Sequence, residues 1–203
     1  MEPAVSQQLL LAFIVFAIVG LYTPGPNNVM LLASGLNFGL RRTLPHVAGV
    51  GFGFAFLVAV VGLGLGAVFA AYPVLQSVLK YAGAAYLVYL ALAIARAGPV
   101  ATGDASPQPL TFWQAAVFQW VNVKGWVIAI GTITAYAALA SYPWNILTMA
   151  LLLLLLGLSS AVTWTLFGAA LQSLIRSPRA VRIFNWVMAA LLLASLYPVL
   201  TEG

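Results

Sequence analysis

Charge is scarce in this chain, and cysteine is absent. Of its 203 residues 5% are charged, with eight Lys and Arg against three Asp and Glu, while 64% are hydrophobic. A soluble domain carries about 25% charged residues, because water must solvate its surface. Lipid is therefore the expected solvent for most of this surface. The composition predicts an all-α integral membrane protein with no separate soluble domain.

The missing residue types exclude several chemistries. Without cysteine there is no disulfide and no zinc–thiolate site. The acids Glu2, Asp104 and Glu202 lie outside the apolar stretches, so a Ser–His–acid triad has no acid within the membrane. One histidine cannot supply a metal cluster, no Walker loop is present for ATP, and the bases are too scattered for nucleic acid. We expect no enzyme activity and no metal or other cofactor, which leaves secondary or passive transport.

Hydrophobic runs of roughly 20 residues, punctuated by Pro, Gly or charge, predict six transmembrane helices. The predicted spans are residues 7–37, 43–71, 73–95, 112–139, 144–172 and 181–197. A polar linker, residues 96–111, separates three spans from three. We therefore expect a single membrane domain, residues 1–203, built as two inverted three-helix repeats over residues 1–95 and 112–203.

The basic residues predict an orientation. Six of the eight bases fall on one side of a six-span chain: Arg41, Arg42, Arg96, Arg176, Arg179 and Arg182. Cytoplasmic loops carry the excess of Lys and Arg in membrane proteins. The arginine-bearing loops are thus predicted in the cytoplasm and both termini outside.

The first span is expected to break at Pro24-Gly25-Pro26, because each proline removes a backbone donor and clashes with the preceding turn. Carbonyls before Pro24 lose their helical partners, and the amides after Pro26 begin a new half-helix. Such an N-terminus attracts a carboxylate, while orphan carbonyls suit an ammonium group. Asn27 and Asn28 place two amide side chains beside the break. All five residues are candidate substrate ligands; a kink that serves packing alone is the alternative.

Lys124 is a second candidate, because it lies roughly 18 Å of helix rise from the start of its span, too deep to snorkel. No acid lies within a predicted span, so its candidate partners are backbone carbonyls, Asn122 or a substrate carboxylate. Burial also penalises the charged form of a lysine. We take Asn122 and Lys124 as candidate substrate ligands, and Lys124 and His46 as candidates for proton coupling. For His46 a hydrogen-bonded structural role is the favoured alternative.

The segment from Thr23 to Phe54, TPGPNNVMLLASGLNFGLRRTLPHVAGVGFGF, resembles the signature region of the LysE/RhtB family of amino-acid exporters. Its PGPN core, G-x-x-x-G motif, basic pair and later glycines fall in the expected order. The family's Asn-Pro-Lys motif corresponds to Asn122-Val123-Lys124, where valine replaces the proline and leaves a break in the fourth helix undecided. The six-span layout and the central polar loop extend the resemblance over essentially the whole chain.

The resemblance implies export of amino acids or close derivatives across the bacterial inner membrane by exchange with protons. PGPNN followed by a Gly-Phe-rich second span is similar to exporters of cysteine and O-acetylserine. Because no fixed negative site lies in the membrane, neutral zwitterions fit better than lysine. The expected partners are such a zwitterion, protons and the lipid bilayer, with a homo-oligomer left open. The alternatives are a passive channel for small neutral solutes and a non-transporting membrane subunit.

Overall fold

The computed structural model describes residues 3–65, 71–97, 108–175 and 177–197, and over these ranges the chain is helical. Its seven α-helices are α1 (Pro3–Tyr22), α2 (Pro26–Val60), α3 (Pro73–Arg96), α4 (Phe112–Phe118), α5 (Val123–Ala135), α6 (Trp144–Leu174) and α7 (Pro178–Ala194). A π-helical turn, Val61–Leu65, extends α2, and a 3-10 turn, Ala137–Leu139, follows α5. The predicted end of the second span, most of the predicted linker and Arg176 lie outside the described residues.

Local sequence signals explain where several helices begin. At the start of α4, the Gln114 N–H donates to Thr111 Oγ1 (3.3 Å) and the Thr111 N–H donates to Gln114 Oε1 (2.9 Å), a capping box. Proline occupies the first turn of α2, α3 and α7, where a missing N–H removes no helical hydrogen bond. These starts lie within a few residues of the predicted boundaries.

α2 folds back on itself at Gly39. This residue has φ 74° and ψ 172°, in the left-handed region that favours glycine. Ser34 Oγ lies 3.0 Å from Thr43 Oγ1 across the turn, whereas nine residues of straight helix would separate them by about 13 Å. α2 therefore consists of two antiparallel legs, α2a (residues 26–38) and α2b (residues 40–60). Their junction is the predicted boundary between the first and second spans.

α1 and α2a run in the same direction along α6. Ser160 Oγ in α6 donates to Leu21 O at the end of α1 (2.9 Å). Further along, Gly168 lies against the backbone of Leu32 in α2a. From Leu21 before the interruption to Leu32 after it, the contacting residue in α6 also moves forward along the chain, from Ser160 to Gly168. The first predicted span is thus one helix broken at residues 23–25, as expected.

α4 and α5 form a second broken helix. Their axes are bent by 65° across residues 119–122, although this turn contains no proline. α5 runs antiparallel to α1, because Gly20 faces Ile128 and, farther out, Tyr136 OH donates to Ala12 O (3.3 Å). The fourth predicted span is therefore also broken. Two broken helices of opposite direction are what an inverted repeat requires.

Three buried clusters of apolar side chains occur among the described residues, and the two larger ones join different helices. The first cluster joins α1, α2b, α5 and α6, and includes Phe13, Ala17, Leu57, Val58, Ala129, Met149 and Leu153. The second cluster joins α2a, α3, α4 and α7, and includes Val29, Met30, Leu90, Ala91, Phe118, Ala189 and Leu192. Each broken helix contributes one half to each cluster. Both breaks therefore lie where the clusters meet.

By length and apolar composition alone, three helical stretches of the described chain could cross a membrane: Pro26–Leu65, which turns back at Gly39, Ser77–Arg96 and Trp144–Gln172. The bent pair α4 and α5 makes a fourth if it counts as one span, and Gln7–Tyr22 is a shorter apolar helix. The described residues thus form a multi-pass membrane protein. The six-span count and the division into inverted repeats remain predictions.

The segments that carry the described loop arginines meet at one end of the bundle. Asn37 and Asn185 form a reciprocal amide pair (2.8 and 3.0 Å), and Asn185 Nδ2 also donates to Ala97 O. Gly39 lies beside the side chain of Gln172 at the end of α6. This buried amide pair, which was not predicted, ties the end of α2a, next to Arg41 and Arg42, to the arginine-bearing ends of α3 and α7.

Candidate functional site

The carbonyls freed by the first break are bound by side chains. Asn28 Nδ2 donates to Leu21 O (3.0 Å) and to Thr23 O (2.9 Å). Ser160 Oγ adds a second bond to Leu21 O, and Lys124 Nζ adds one to Thr23 O. Each carbonyl therefore accepts two hydrogen bonds, which is its full capacity. These two carbonyls are thus satisfied within the protein, as membrane depth demands.

The far side of the first break is the N-terminus of α2. Gly25 is its N-cap, with an extended backbone and no side-chain cap. Pro26 has no N–H, and the Val29 N–H already donates to Gly25 O (3.0 Å). The amides of Asn27 and Asn28 are the ones that begin the helix without an intrahelical acceptor.

The second break is a short turn of 3-10 hydrogen bonds. From Gln119 to Asn122 each backbone N–H donates to the carbonyl three residues earlier, at 3.1 to 3.4 Å. The Trp126 Nε1–H donates to Trp120 O (2.9 Å) and closes the turn against α5. Asn122 is the N-cap of α5, but its side chain makes no capping bond.

An amide pair joins the two breaks. Asn27 Nδ2 donates to Gln119 Oε1 (2.8 Å), and Gln119 Nε2 donates to Asn27 Oδ1 (3.2 Å) and to Ala115 O (2.8 Å). Gln119 is fully buried and uses both ends of its amide. Sequence reasoning missed Gln119. The available signal was an amide side chain within an apolar span, three residues before Asn122.

Lys124 reaches from α5 across to the first break. Its Nζ donates to Thr23 O, so the partner is a backbone carbonyl, one of the predicted options. A Cβ added at Gly25 would lie 2.8 Å from Lys124 Cδ and 3.1 Å from Nζ. The missing side chain at Gly25 therefore gives the lysine its path. An ammonium group has three donors, and the described residues accept one, at Thr23.

These groups line a small, partly open cavity of about 40 Å³. Its polar lining consists of Asn27, Asn28, Asn122, Lys124 and Ser160. Asn122 is 3% exposed, and its Oδ1 has no hydrogen-bond partner among the described residues. Because buried amide oxygens are normally paired, this oxygen is an acceptor ready for a ligand or a water.

His46 lies apart from this cavity. It lines a second cavity of about 230 Å³, bounded by α2a, α3 and residues 108–110. The ring is 1% exposed, and neither nitrogen has a hydrogen-bond partner within the described ranges. The cavity is lined by the predicted substrate-binding candidates Gly25, Pro26, Asn27, Asn28, Asn122 and Lys124. Pro24 lies at the break without lining the cavity, and His46 is separate from it.

Two facing helix breaks around a polar cavity, set in an apolar bundle, are features of a membrane transporter rather than an enzyme. The chain belongs to the LysE type translocator family, whose model matches residues 18–195. The resemblance seen in the sequence is thereby confirmed.

Curated relatives extend this result. The chain is 32% identical over 185 residues to the cysteine/O-acetylserine efflux protein of Klebsiella pneumoniae, covering 91% of this chain and 93% of the relative. Proteins of the same name from Salmonella typhimurium and Escherichia coli are each 31% identical, covering 92% and 91% of this chain and 95% and 93% of the relatives. The family match and these relatives identify the chain as a transport protein of the LysE type and not an enzyme. No solved structure matches the chain significantly.

Proposed function

We propose that this protein is a secondary transporter that exports small neutral amino acids or their close derivatives in exchange for protons. One observation carries the proposal: the facing breaks put an ammonium donor, Lys124, and an unfilled acceptor, Asn122 Oδ1, around one cavity. A zwitterion needs both kinds of group. The relatives' names, which specify cysteine and O-acetylserine, support small neutral substrates.

The substrate carboxylate is assigned to Lys124 and to the amides of Asn27 and Asn28. Lys124 Nζ already lies at the first break, on Thr23 O. The N-terminus of α2 adds partial positive charge at the same place. The three acids of the chain are far along the sequence from every predicted span centre, so no fixed anion competes there.

The substrate ammonium is assigned to Asn122 Oδ1 and Thr23 O. Thr23 O is filled in this structure by Asn28 and Lys124. When Lys124 turns to a substrate carboxylate, Thr23 O loses that bond and becomes free to accept the ammonium. One zwitterion can then take the place of the bond between Lys124 and Thr23, because its carboxylate binds Lys124 and its ammonium group binds Thr23 O. A dibasic substrate would bring a second cation for which this site holds no acid.

Proton coupling is assigned to Lys124, with His46 as the second candidate. Lys124 is placed to exchange its proton as substrate arrives and leaves. The second cavity is several times larger than the first, and its space suits a group of waters around the unpaired His46 ring. An imidazole in contact with such water can pass a proton to it.

The proposed orientation places the arginine-bearing end in the cytoplasm and both termini outside, in a six-span fold of inverted repeats. It is supported by the convergence of α2a, α3 and α7 at one end through Asn37, Asn185 and Ala97. The antiparallel course of α1 and α5 supports the repeats.

Transport by the purified protein in liposomes tests the proposal. Labelled cysteine, O-acetylserine and lysine would be compared with and without an imposed pH gradient. We expect gradient-driven flux of the two neutral substrates and slow flux of lysine. Lys124→Ala should abolish flux. Lys80→Ala, which removes the lysine near the start of α3, should retain it.

Each other outcome removes a specific part of the proposal. Flux that ignores the pH gradient would indicate a passive facilitator. Flux unchanged by Lys124→Ala would return that lysine to a structural role and leave the first break as the site. Lysine flux equal to that of the neutral substrates would contradict the assigned substrate class.

A further inference from the structure

Gly157 of α6 forms a wall of the first cavity in an unusual way. The residue is buried and lines the cavity, yet a Cβ built on it would have no atom within 4 Å. A buried position facing open space within the bundle must face the cavity. A side chain introduced at residue 157 would therefore point into the proposed binding space.

Other glycines in the helical core have a packing reason that Gly157 lacks. A Cβ at Gly168 would collide with the backbone of Leu32, and one at Gly35 would collide with the Thr165 carbonyl. These glycines let two helices touch. Glycine within a helix costs roughly 0.5–1 kcal/mol relative to alanine. At residue 157 no helix contact accounts for that cost, whereas an open cavity does.

Gly157 lies about one turn of α6 away from the groups assigned to the charged end of the substrate. Ser160, about one turn further along α6, bonds Leu21 O at the break, where the charged groups of the substrate are assigned. The same cavity is also lined by Phe54 and Ile128, both members of the first apolar cluster. The cavity thus combines polar groups at the break with apolar side chains that suit the side chain of a substrate.

We propose that Gly157 sets the size of the transported substrate, because the substrate's side chain occupies the space in front of it. The inference rests on the proposed function, since it takes the first cavity as the binding site. It adds a specificity-determining residue that makes no polar contact with the substrate.

The test is a size series in proteoliposomes carrying wild type, Gly157→Ala or Gly157→Val. Labelled cysteine serves as the tracer, and unlabelled 2-aminobutyrate, norvaline and norleucine compete, since they differ only in the length of an unbranched chain. Gly131→Ala is the matched control, because Gly131 lies in α5 and does not line the cavity. Lys124→Ala is measured alongside.

We expect Gly157→Val to weaken competition by norleucine roughly tenfold or more while 2-aminobutyrate changes by about twofold or less, as in pockets that discriminate by methylene groups. Gly157→Ala should fall between Val and wild type, and its methyl group meets no atom, so folding is preserved. Gly131→Ala should keep the wild-type order.

The outcomes separate this inference from the function on which it rests. An unchanged competition order in both Gly157 variants, with flux abolished by Lys124→Ala, would overturn the size assignment and keep the binding site. An equal weakening of all three competitors would overturn it as well. A shifted order together with intact flux in Lys124→Ala would keep the size assignment and remove the role of the lysine.

Discussion

The two helix breaks face each other but are maintained by different forces. At the first break, Pro24 and Pro26 lack the backbone N–H that a continuous helix needs, so the local sequence alone is enough to interrupt the helix. At the second, no proline is present, and the turn is held by 3-10 bonds and by the pairing of Gln119 with Asn27. The first break is thus local in origin, whereas the second depends on a residue 92 positions away.

This difference also divides the chemistry of the site. The first break supplies backbone groups, the carbonyls of Leu21 and Thr23 and the amides that begin α2. The second break supplies side chains, those of Gln119, Asn122 and Lys124. A site of this kind can change its side chains at the second break without losing the backbone frame at the first.

The largest effect is expected where the second break depends on the first. Gln119→Leu removes the bonds to Asn27 and Ala115 O and leaves the Asn27 amide unpaired. We expect the free energy of unfolding to fall by about 3 kcal/mol, at the upper end for an orphaned polar group. Asn27→Leu with Gln119→Leu should cost less than the sum of the single changes. Unfolding in mixed detergent micelles measures this, and strict additivity would mean that the pair does not couple the breaks.

A smaller effect is expected within the first break, where the prolines fix the geometry and Asn28 only satisfies it. Asn28→Leu, which keeps the side-chain shape, removes one bond from Leu21 O and one from Thr23 O. We expect a loss of about 2 kcal/mol, about 1 for each hydrogen bond. The same unfolding assay applies, and Asn145→Leu, in α6 outside the first cavity, provides an amide control. A neutral result would show that the carbonyls do not need the asparagine.

Ser160→Ala should act on the same carbonyl with about half that effect. It removes one bond from Leu21 O and leaves the bond from Asn28 Nδ2 in place. We expect about 1 kcal/mol or less. A larger loss than for Asn28→Leu would reverse the ranking of the two supports, and thermal unfolding of both variants side by side decides between them.

The smallest effect is expected when the second break is rebuilt like the first. Val123 is the first residue of α5, where proline is well tolerated, and Asn122 before it has φ −86° and ψ 98°, in the extended region that precedes proline. Val123→Pro should stabilise the protein by roughly 0.4–1 kcal/mol and retain flux. Ala129→Pro, buried within α5, should cost about 3 kcal/mol or more. A large loss from Val123→Pro would show that this turn needs a backbone N–H at residue 123.

The features that the sequence predicted are local, like the first break, whereas the features that it missed depend on distant residues, like the second break. Pro24 and Pro26 act within one turn of helix, so the first break could be read directly, as could the helix starts at Pro73 and Thr111. The basic pair, Arg41 and Arg42, marked the boundary between the first two spans, which is where α2 turns. These features depend on a few neighbouring residues.

The second break and its partners could not be read in this way. Gln119 is a single amide whose role exists only because Asn27 faces it, and the Asn37–Asn185 pair joins residues 148 positions apart. His46 was predicted, like Lys124, as a candidate for proton coupling. The fold at Gly39 instead places it on a separate cavity.

Each helix break lies between the first and the second apolar cluster. α1 and α5 belong to the first cluster, while α2a and α4 belong to the second, so each broken helix passes from one cluster to the other at its interruption. The two clusters are nevertheless tied to each other, because Gly168 of α6 packs on Leu32 of α2a and Gly39 joins the two legs of α2. A movement about the two breaks must therefore also shift these helix contacts, and it would change the shape of the cavity that lies between the breaks.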